Sequence, residues 1–177
     1  MPEPAAPLAT ASPLWSNIFQ SASSRKDLDA ATSQILKRIP IFEELGRREL
    51  AAVTRILYER TYAAEELIFR QNDPGVGMYI IAQGRIAIVR EPDRQLLAEL
   101  HDGDFFGEMA LLDELPRSAT AIAKVPSRVL GFFQPELFGL IERHPRLGVK
   151  IVLRLARIIG QRLRVMDERS QACTPKP

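Results

Sequence analysis

Cysteine and histidine are scarce in this chain, which has one cysteine and two histidines among 177 residues. A single cysteine, Cys173, cannot form an intramolecular disulfide, and we expect a reducing compartment. His101 and His144 are far apart in sequence, and we find neither a cluster of metal ligands nor a Ser-His-Asp or Cys-His arrangement. We therefore predict no metal site, no catalytic residue and no enzymatic activity.

Long apolar runs and an excess of charge are also lacking. No apolar run approaches the roughly 20 residues that a transmembrane helix needs, and the formal net charge is only +2. The N-terminus has no basic segment, carries Glu3 and is interrupted by prolines, unlike a secretory signal. We expect a cytoplasmic protein without a transmembrane segment and without the overall charge of a nucleic-acid-binding protein.

Composition divides the chain into three parts. The first 25 residues are rich in Pro, Ala and Ser, a composition typical of disorder. They contain an apolar cluster that either packs on the folded domain or docks a partner, formed by Leu14, Trp15, Ile18 and Phe19. We predict a disordered arm, a folded domain with flanking helices and a flexible tail over residues 1–25, 26–168 and 169–177.

The sequence of the folded part predicts strands that lie between helices. Short apolar segments divided by turn residues occupy residues 58–133, a pattern typical of an antiparallel roll or barrel. Helical periodicity precedes and follows them, and the last helix is predicted to end at about Glu168. The predicted fold class is α+β, an antiparallel β-roll resembling a jelly-roll barrel and flanked by N-terminal and C-terminal helices.

Residues 103–123 combine groups that suit a sugar phosphate. A short helical turn after Gly107 would present free N–H groups to an anion, and the guanidinium of Arg117 matches phosphate oxygens. Glu108 is only an acceptor when ionised, so it suits a sugar hydroxyl such as a ribose 2′-OH. These residues predict a pocket for a phosphate and a sugar. The alternative is a structural Glu108–Arg117 ion pair beside a tight turn.

The same segment resembles the phosphate-binding cassette of cyclic-nucleotide-binding domains, found in the bacterial catabolite activator protein, protein kinase A regulatory subunits and cyclic-nucleotide-gated channels. The resemblance rests on two ordered motifs, FGEMALL at residues 106–112 and PRSAT at residues 116–120. It implies that Gly107 and Glu108 hold the ribose, that Arg117 binds the cyclic phosphate, and that nearby backbone groups complete the cradle. The implied site residues in this segment are Phe106, Gly107, Glu108, Met109, Arg117, Ser118 and Ala119.

One turn departs from the family pattern. Asn72 stands in the segment QNDPGVG, residues 71–77, where the family usually has glycine. Asparagine tolerates the left-handed backbone conformation better than other non-glycine residues do. We therefore expect the turn to be retained.

The C-terminal helix has more apolar surface than one buried stripe needs. Its predicted buried stripe consists of Leu147, Ile151, Leu155, Ile158, Ile159 and Met166. Beyond that stripe it carries Val149, Val152, Leu153 and Leu163, which implies a second surface. In the family this helix often covers the purine and often forms a dimer seam. The resemblance therefore makes Arg162 and Leu163 candidate base contacts and allows a homodimer through this helix. The alternatives are dimer packing for Leu163 and a solvated charge for Arg162.

The same helix is basic. No acidic residue lies between Arg143 and Arg164, a pattern that fits nucleic acid, anionic lipid or an acidic partner, or else a solvated face. The family's transcription factors have a helix-turn-helix after this helix. Because only about ten residues follow it in this sequence, we expect no DNA-binding domain of that kind.

Together these observations predict a non-enzymatic sensor. Its pocket binds cAMP or cGMP, with cAMP preferred, and its terminal helices transmit the event to an unidentified effector protein. The alternative is a protein-interaction module whose nucleotide pocket is unused.

Overall fold

A computed structural model describes residues 30–113 and 115–172, in which helices flank two sheets of short strands. Helix α1 covers residues 30–36, and the others are α2 Arg47–Thr54, α3 Gln134–Arg143 and α4 Pro145–Ala172. The strands are β1 Tyr58–Tyr62, β2 Leu67–Phe69, β3 Gly77–Gln83, β4 Ile86–Arg90, β5 Gln95–Leu100, β6 Phe105–Phe106, β7 Thr120–Ala123 and β8 Ser127–Phe133. This confirms the predicted α+β fold.

All strand pairs are antiparallel and form two four-stranded sheets. One has the order β1-β8-β3-β6 and the other β2-β7-β4-β5. Between them lies a core cluster that includes Ile81, Ile86 and Val129. Strands β3 and β8 are buried along most of their length, because the sheet that contains them has the second sheet on one face and the helices on the other.

A larger core cluster joins the helices to the first sheet. It includes Leu50 of α2, Phe132 of β8 and the α4 residues Leu147, Ile151 and Leu155. The α4 residues recur every four positions, so they lie on one face of the helix. Each is 5% exposed or less, and burial of one such side chain contributes about 1.5–3 kcal/mol. The start of α4 is therefore held firmly.

Two ion-pair contacts reinforce this attachment. Lys150 Nζ donates to Glu49 of α2 at 2.9 and 3.1 Å, and Arg154 pairs with Glu43 and Glu44. Further along α4, by contrast, the residues from 161 to 165 are all exposed. Helix α4 is thus packed firmly on the domain along its first half, whereas the side chains of residues 161–165 are exposed.

The structure differs from the sequence predictions at element ends. Strand β6 has only two residues and was not predicted as a separate strand. Helix α4 continues past the predicted end at Glu168 to Ala172, because proline, which would stop it, first occurs at position 175. The predicted tail over 169–177 is therefore helical in its first part. The predicted arm over 1–25 and its apolar cluster lie outside the described residues, as does Cys173.

Within residues 30–113 and 115–172, no helix is long and apolar enough to cross a membrane. The same residues contain no group of three or more His, Cys, Asp or Glu side chains placed to hold a metal ion.

Candidate functional site

A cavity of about 440 Å³ opens where the two sheets meet the segment after β6. Its apolar walls come from both sheets and include Phe69, Ile88, Ala98, Leu100 and Phe105. Its polar groups come mainly from the 3₁₀ turn Glu108–Leu111 and from the chain before β7. An apolar pocket with a few converging charged groups is typical of a small-molecule binding site.

Gly107 is required where the chain turns from β6 into the 3₁₀ turn. Its φ of 72° lies in the left-handed region that glycine adopts at little cost. A Cβ atom added there would lie 2.6 Å from Nη1 of Arg117. Any other residue would therefore both strain the backbone and displace the arginine.

Arg117 is held in place by its backbone as well as by its side chain. The N–H of Asn72 donates to the carbonyl of Arg117 at 2.9 Å, and the N–H of Arg117 donates to the carbonyl of Asp73 at 2.9 Å. Asn72 has φ 70°, so the left-handed turn predicted at this asparagine is confirmed. That turn positions the arginine beside the cavity.

Arg117 is 6% exposed, yet its guanidinium forms no ion pair with an acid among the described residues. Its Nη1 donates to the carbonyl of Gly107 at 3.1 Å, and its Nη2 donates to the carbonyl of Gly77 at 2.7 Å. It also lies over the ring of Phe69 at 4.2 Å. These contacts fix its orientation but leave its positive charge without a counterion.

One nitrogen of this guanidinium has no partner. Nε of Arg117 is buried and has no hydrogen-bond partner among the described residues. Burial lowers the pKa of Arg117, and the nearby Tyr79, Asp73 and Glu108 side chains raise it. The ordinary pKa of arginine is so high that the group remains charged at neutral pH. A buried cation with an unused donor beside a cavity is suited to an anionic ligand.

Glu108 pairs with α4 and not with Arg117. Nη1 of Arg162 donates to Oε1 of Glu108 at 2.5 Å, and the Arg162 guanidinium lies over the Phe105 ring at 4.7 Å. The Glu108 side chain is 9% exposed, against 49% for Arg162. The alternative of a structural Glu108–Arg117 pair is therefore wrong for this conformation, and α4 reaches the cavity through Arg162.

The structure brings most of the predicted site residues together. Eight of them line the cavity: Phe106, Gly107, Glu108, Met109, Arg117, Ser118, Ala119 and Arg162. Leu163 does not, and it is 59% exposed. The base contact predicted for Leu163 has no support in this conformation, because neighbouring helical residues point about 100° apart and Arg162 is the one that faces the cavity.

Sequence reasoning missed the apolar walls of the cavity. Ile88 of β4 and Ala98 and Leu100 of β5 line it, and Ile88 pairs directly with Ala98 across the two strands. Because side chains alternate between the two faces of a strand, the sequence alone could have placed Ala98 and Leu100 on one face of β5. The pairing of β5 with β4 could not be predicted from the sequence.

Comparison with known proteins gives a consistent result. Residues 59–144 match the family described as the cyclic nucleotide-binding domain. The chain is 33% identical to the cyclic AMP receptor protein of Thermus thermophilus, over 75% of this chain and 61% of that protein. It is 32% identical to a cyclic nucleotide-gated potassium channel of Rhizobium etli, over 78% of this chain and 39% of that protein. The chain thus spans less than two thirds of either relative.

Solved structures show the same fold. The crystal structure of a cyclic nucleotide-binding domain from Methylobacillus flagellatus has a TM-score of 0.72 to this chain at 22% identity. The match covers 85% of this chain and 86% of the other. At that identity the likeness concerns the fold.

Proposed function

Since this chain belongs to the cyclic nucleotide-binding domain family through residues 59–144, we propose that it is a cyclic-nucleotide sensor that prefers cAMP to cGMP. It has no enzymatic role in this proposal. Ligand binding is transmitted through α4 to an effector protein. A cytoplasmic location stays a prediction.

One observation carries the proposal, the unused Nε donor of Arg117. The side chain is buried and its charge has no counterion among the described residues. Leaving such a group unsatisfied costs about 1–3 kcal/mol or more. A cyclic phosphate would supply both the missing acceptor and the missing negative charge.

The neighbouring groups suit the rest of a nucleotide. Glu108 uses Oε1 for Arg162, so its second oxygen can accept a hydrogen bond from a ribose hydroxyl. The apolar walls, such as Ile88 and Leu100, suit a purine ring. Preference for cAMP is supported by the similarity to a cyclic AMP receptor protein. Ser118 is exposed, and its hydroxyl could reach either a phosphate oxygen or a guanine amino group, so cGMP is the competing ligand.

The Arg162–Glu108 contact supports the proposed transmission. A ribose bound to Glu108 would share this carboxylate with Arg162, so a bound nucleotide stabilises the conformation in which α4 reaches the cavity. A ligand shifts a conformational equilibrium only through such a difference in affinity between the two states.

Helix α4 also offers a surface for a homodimer. Val149, Leu153 and Leu163 are 53%, 52% and 59% exposed. Together with Ala156 and Gly160 they recur at spacings of four and three, which is the heptad pattern of a coiled-coil seam. The small residues in its centre allow close approach of a second α4.

A second candidate function uses the same exposed stripe. If the pocket were unused, the chain would be a protein-interaction module whose partner covers this stripe of α4. The exposure of Leu153 and Leu163 favours this reading, whereas the unused donor of Arg117 opposes it.

The deciding experiment is calorimetric titration of nucleotide-stripped protein with cAMP, cGMP and the non-cyclic control 5′-AMP. We expect binding of the cyclic nucleotides, tightest for cAMP. Hydrogen exchange across residues 145–165 with saturating cAMP should show added protection, and Arg162→Gln should reduce that gain. Absence of binding by either cyclic nucleotide would favour the interaction module, while binding without any change in protection would remove the proposed transmission.

A further inference from the structure

A second concave surface lies away from the nucleotide cavity and shares no lining residue with it. It has a volume of about 590 Å³ and lies between α2 and the junction of α3 with α4. One wall is formed by Arg48, Glu49 and Ala52, and the other by residues 143–147. We call this surface the basic groove.

The rim of the basic groove is positively charged. Arg48, Arg143 and Arg146 are exposed and form no ion pair within the described residues. Exposed arginines with free guanidinium groups are suited to bidentate contacts with carboxylates. Three such groups around one concavity favour a negatively charged partner.

The acid in the groove does not offset this charge. The carboxylate of Glu49 accepts a hydrogen bond from the N–H of Gly46 at 2.8 Å and also pairs with Lys150 at 2.9 Å. These two contacts, the backbone bond first, lower the pKa of Glu49. Glu49 therefore stays ionised at neutral pH, but its charge is already matched by Lys150.

The apolar residues that line the groove are Ala52, Pro145 and Leu147. Pro145 is exposed and Ala52 half-buried, whereas Leu147 is only 5% exposed. A concave surface above a buried side chain accepts a single inserted side chain, whereas a bilayer surface requires apolar residues that protrude. None of the large exposed apolar side chains of the described residues lies in this groove. The shape thus favours a peptide over a membrane.

We propose that the basic groove docks an acidic segment of a partner protein. One apolar side chain of that segment inserts above Leu147, and carboxylates on either side of it contact Arg48, Arg143 and Arg146. This docking does not depend on the proposed nucleotide binding.

The test is fluorescence anisotropy with a fluorescein-labelled peptide that has Asp and Glu residues around one central Leu. The titration is made without nucleotide, so its result is independent of whether the nucleotide pocket functions. The groove variant is the double substitution Arg48→Glu and Arg146→Glu. The matched control is Arg70→Glu with Arg90→Glu, which changes the net charge equally at two other exposed arginines. Circular dichroism checks that all proteins are folded.

We expect the peptide to bind, the groove variant to bind it at least about tenfold more weakly, and the control to stay within about twofold. A peptide with Gly in place of Leu should bind more weakly than the Leu peptide. Three results would overturn the proposal: no binding to the unaltered protein, equal losses in the groove variant and the control, or equal binding of the Leu and Gly peptides. Binding to phosphatidylserine vesicles that the groove variant loses, without peptide binding, would assign the surface to a membrane.

Discussion

Substitution of Arg117 is the sharpest perturbation of the proposed site, because the structure gives this side chain two tasks. Its guanidinium donates to the carbonyls of Gly107 and Gly77, and its Nε has no partner among the described residues. Arg117→Ala should therefore lower both the stability of the protein and its affinity for a cyclic nucleotide.

The expected magnitudes differ for the two effects. Hydrogen bonds from charged donors contribute about 1.5–3 kcal/mol each, and water entering the open cavity would replace part of the two that are lost. We expect the free energy of unfolding to fall by about 2–4 kcal/mol, which for a protein of this size lowers Tm by roughly 4–16 °C. Loss of the contacts to the phosphate should weaken nucleotide binding by about a hundredfold or more.

Thermal denaturation and calorimetric titration separate the effects. Arg117→Lys retains the charge without the planar fork, so it should fall between Ala and the unaltered protein in both measurements. Arg90→Ala removes an exposed arginine from β4 and should change stability by no more than about 0.5 kcal/mol. Titrations must be made well below the Tm of each variant so that unfolding does not imitate weak binding.

The reasoning would be refuted by either of two results. Nucleotide affinity of Arg117→Ala within about threefold of the unaltered protein would mean that the phosphate binds elsewhere. An unchanged Tm would mean that the two carbonyl contacts contribute nothing to the fold.

Three further predictions concern other elements. Glu49→Gln should lower Tm at neutral pH. The hydrogen bond from the Gly46 N–H and the pair with Lys150 lower the pKa of Glu49 in the folded state, so the loss should fade as the pH falls through and below about 4. A loss independent of pH would contradict a stabilising role for the ionised carboxylate. Gly107→Ala should weaken nucleotide binding more than Gly103→Ala, since both glycines have positive φ but only an added Cβ at Gly107 would clash with Arg117; equal effects would mean that backbone strain alone matters. If α4 forms the proposed dimer seam, Leu153→Glu should yield monomers in sedimentation velocity while the control Leu97→Glu leaves the dimer intact, and identical sedimentation of all three proteins would remove the seam.

The extent to which sequence predicted this site depends on how local each feature is. Gly107, Glu108 and Arg117 lie within a short segment whose chemistry can be reasoned out residue by residue, and all three line the cavity. The turn at Asn72 was predicted from the resemblance to a family that usually has glycine at this position, and from the tolerance of asparagine for left-handed backbone.

Features that depend on distant pairing were harder to predict. The Glu108–Arg162 contact joins residues 54 positions apart, and nothing in either motif specifies that the carboxylate prefers this arginine to Arg117. The same applies to Leu163, whose exposure is set by how α4 rotates against the domain. Helix periodicity identifies a face, but only packing decides which residue at its edge meets the pocket.

The unequal attachment of α4 has a mechanical consequence. Lys150 and Arg154 fasten the helix to the segments around Glu49 and Glu43, so a pivot would lie beyond Arg154, within the helix, and not at its start. At a rise of 1.5 Å per residue, the length from Ile158 to Ala172 is about 20 Å. A tilt of roughly 10° at that pivot would displace the far end by about 4 Å, whereas the basic groove at the near end would stay still. The C-terminal end of α4 would then move while its first half stayed attached to the domain.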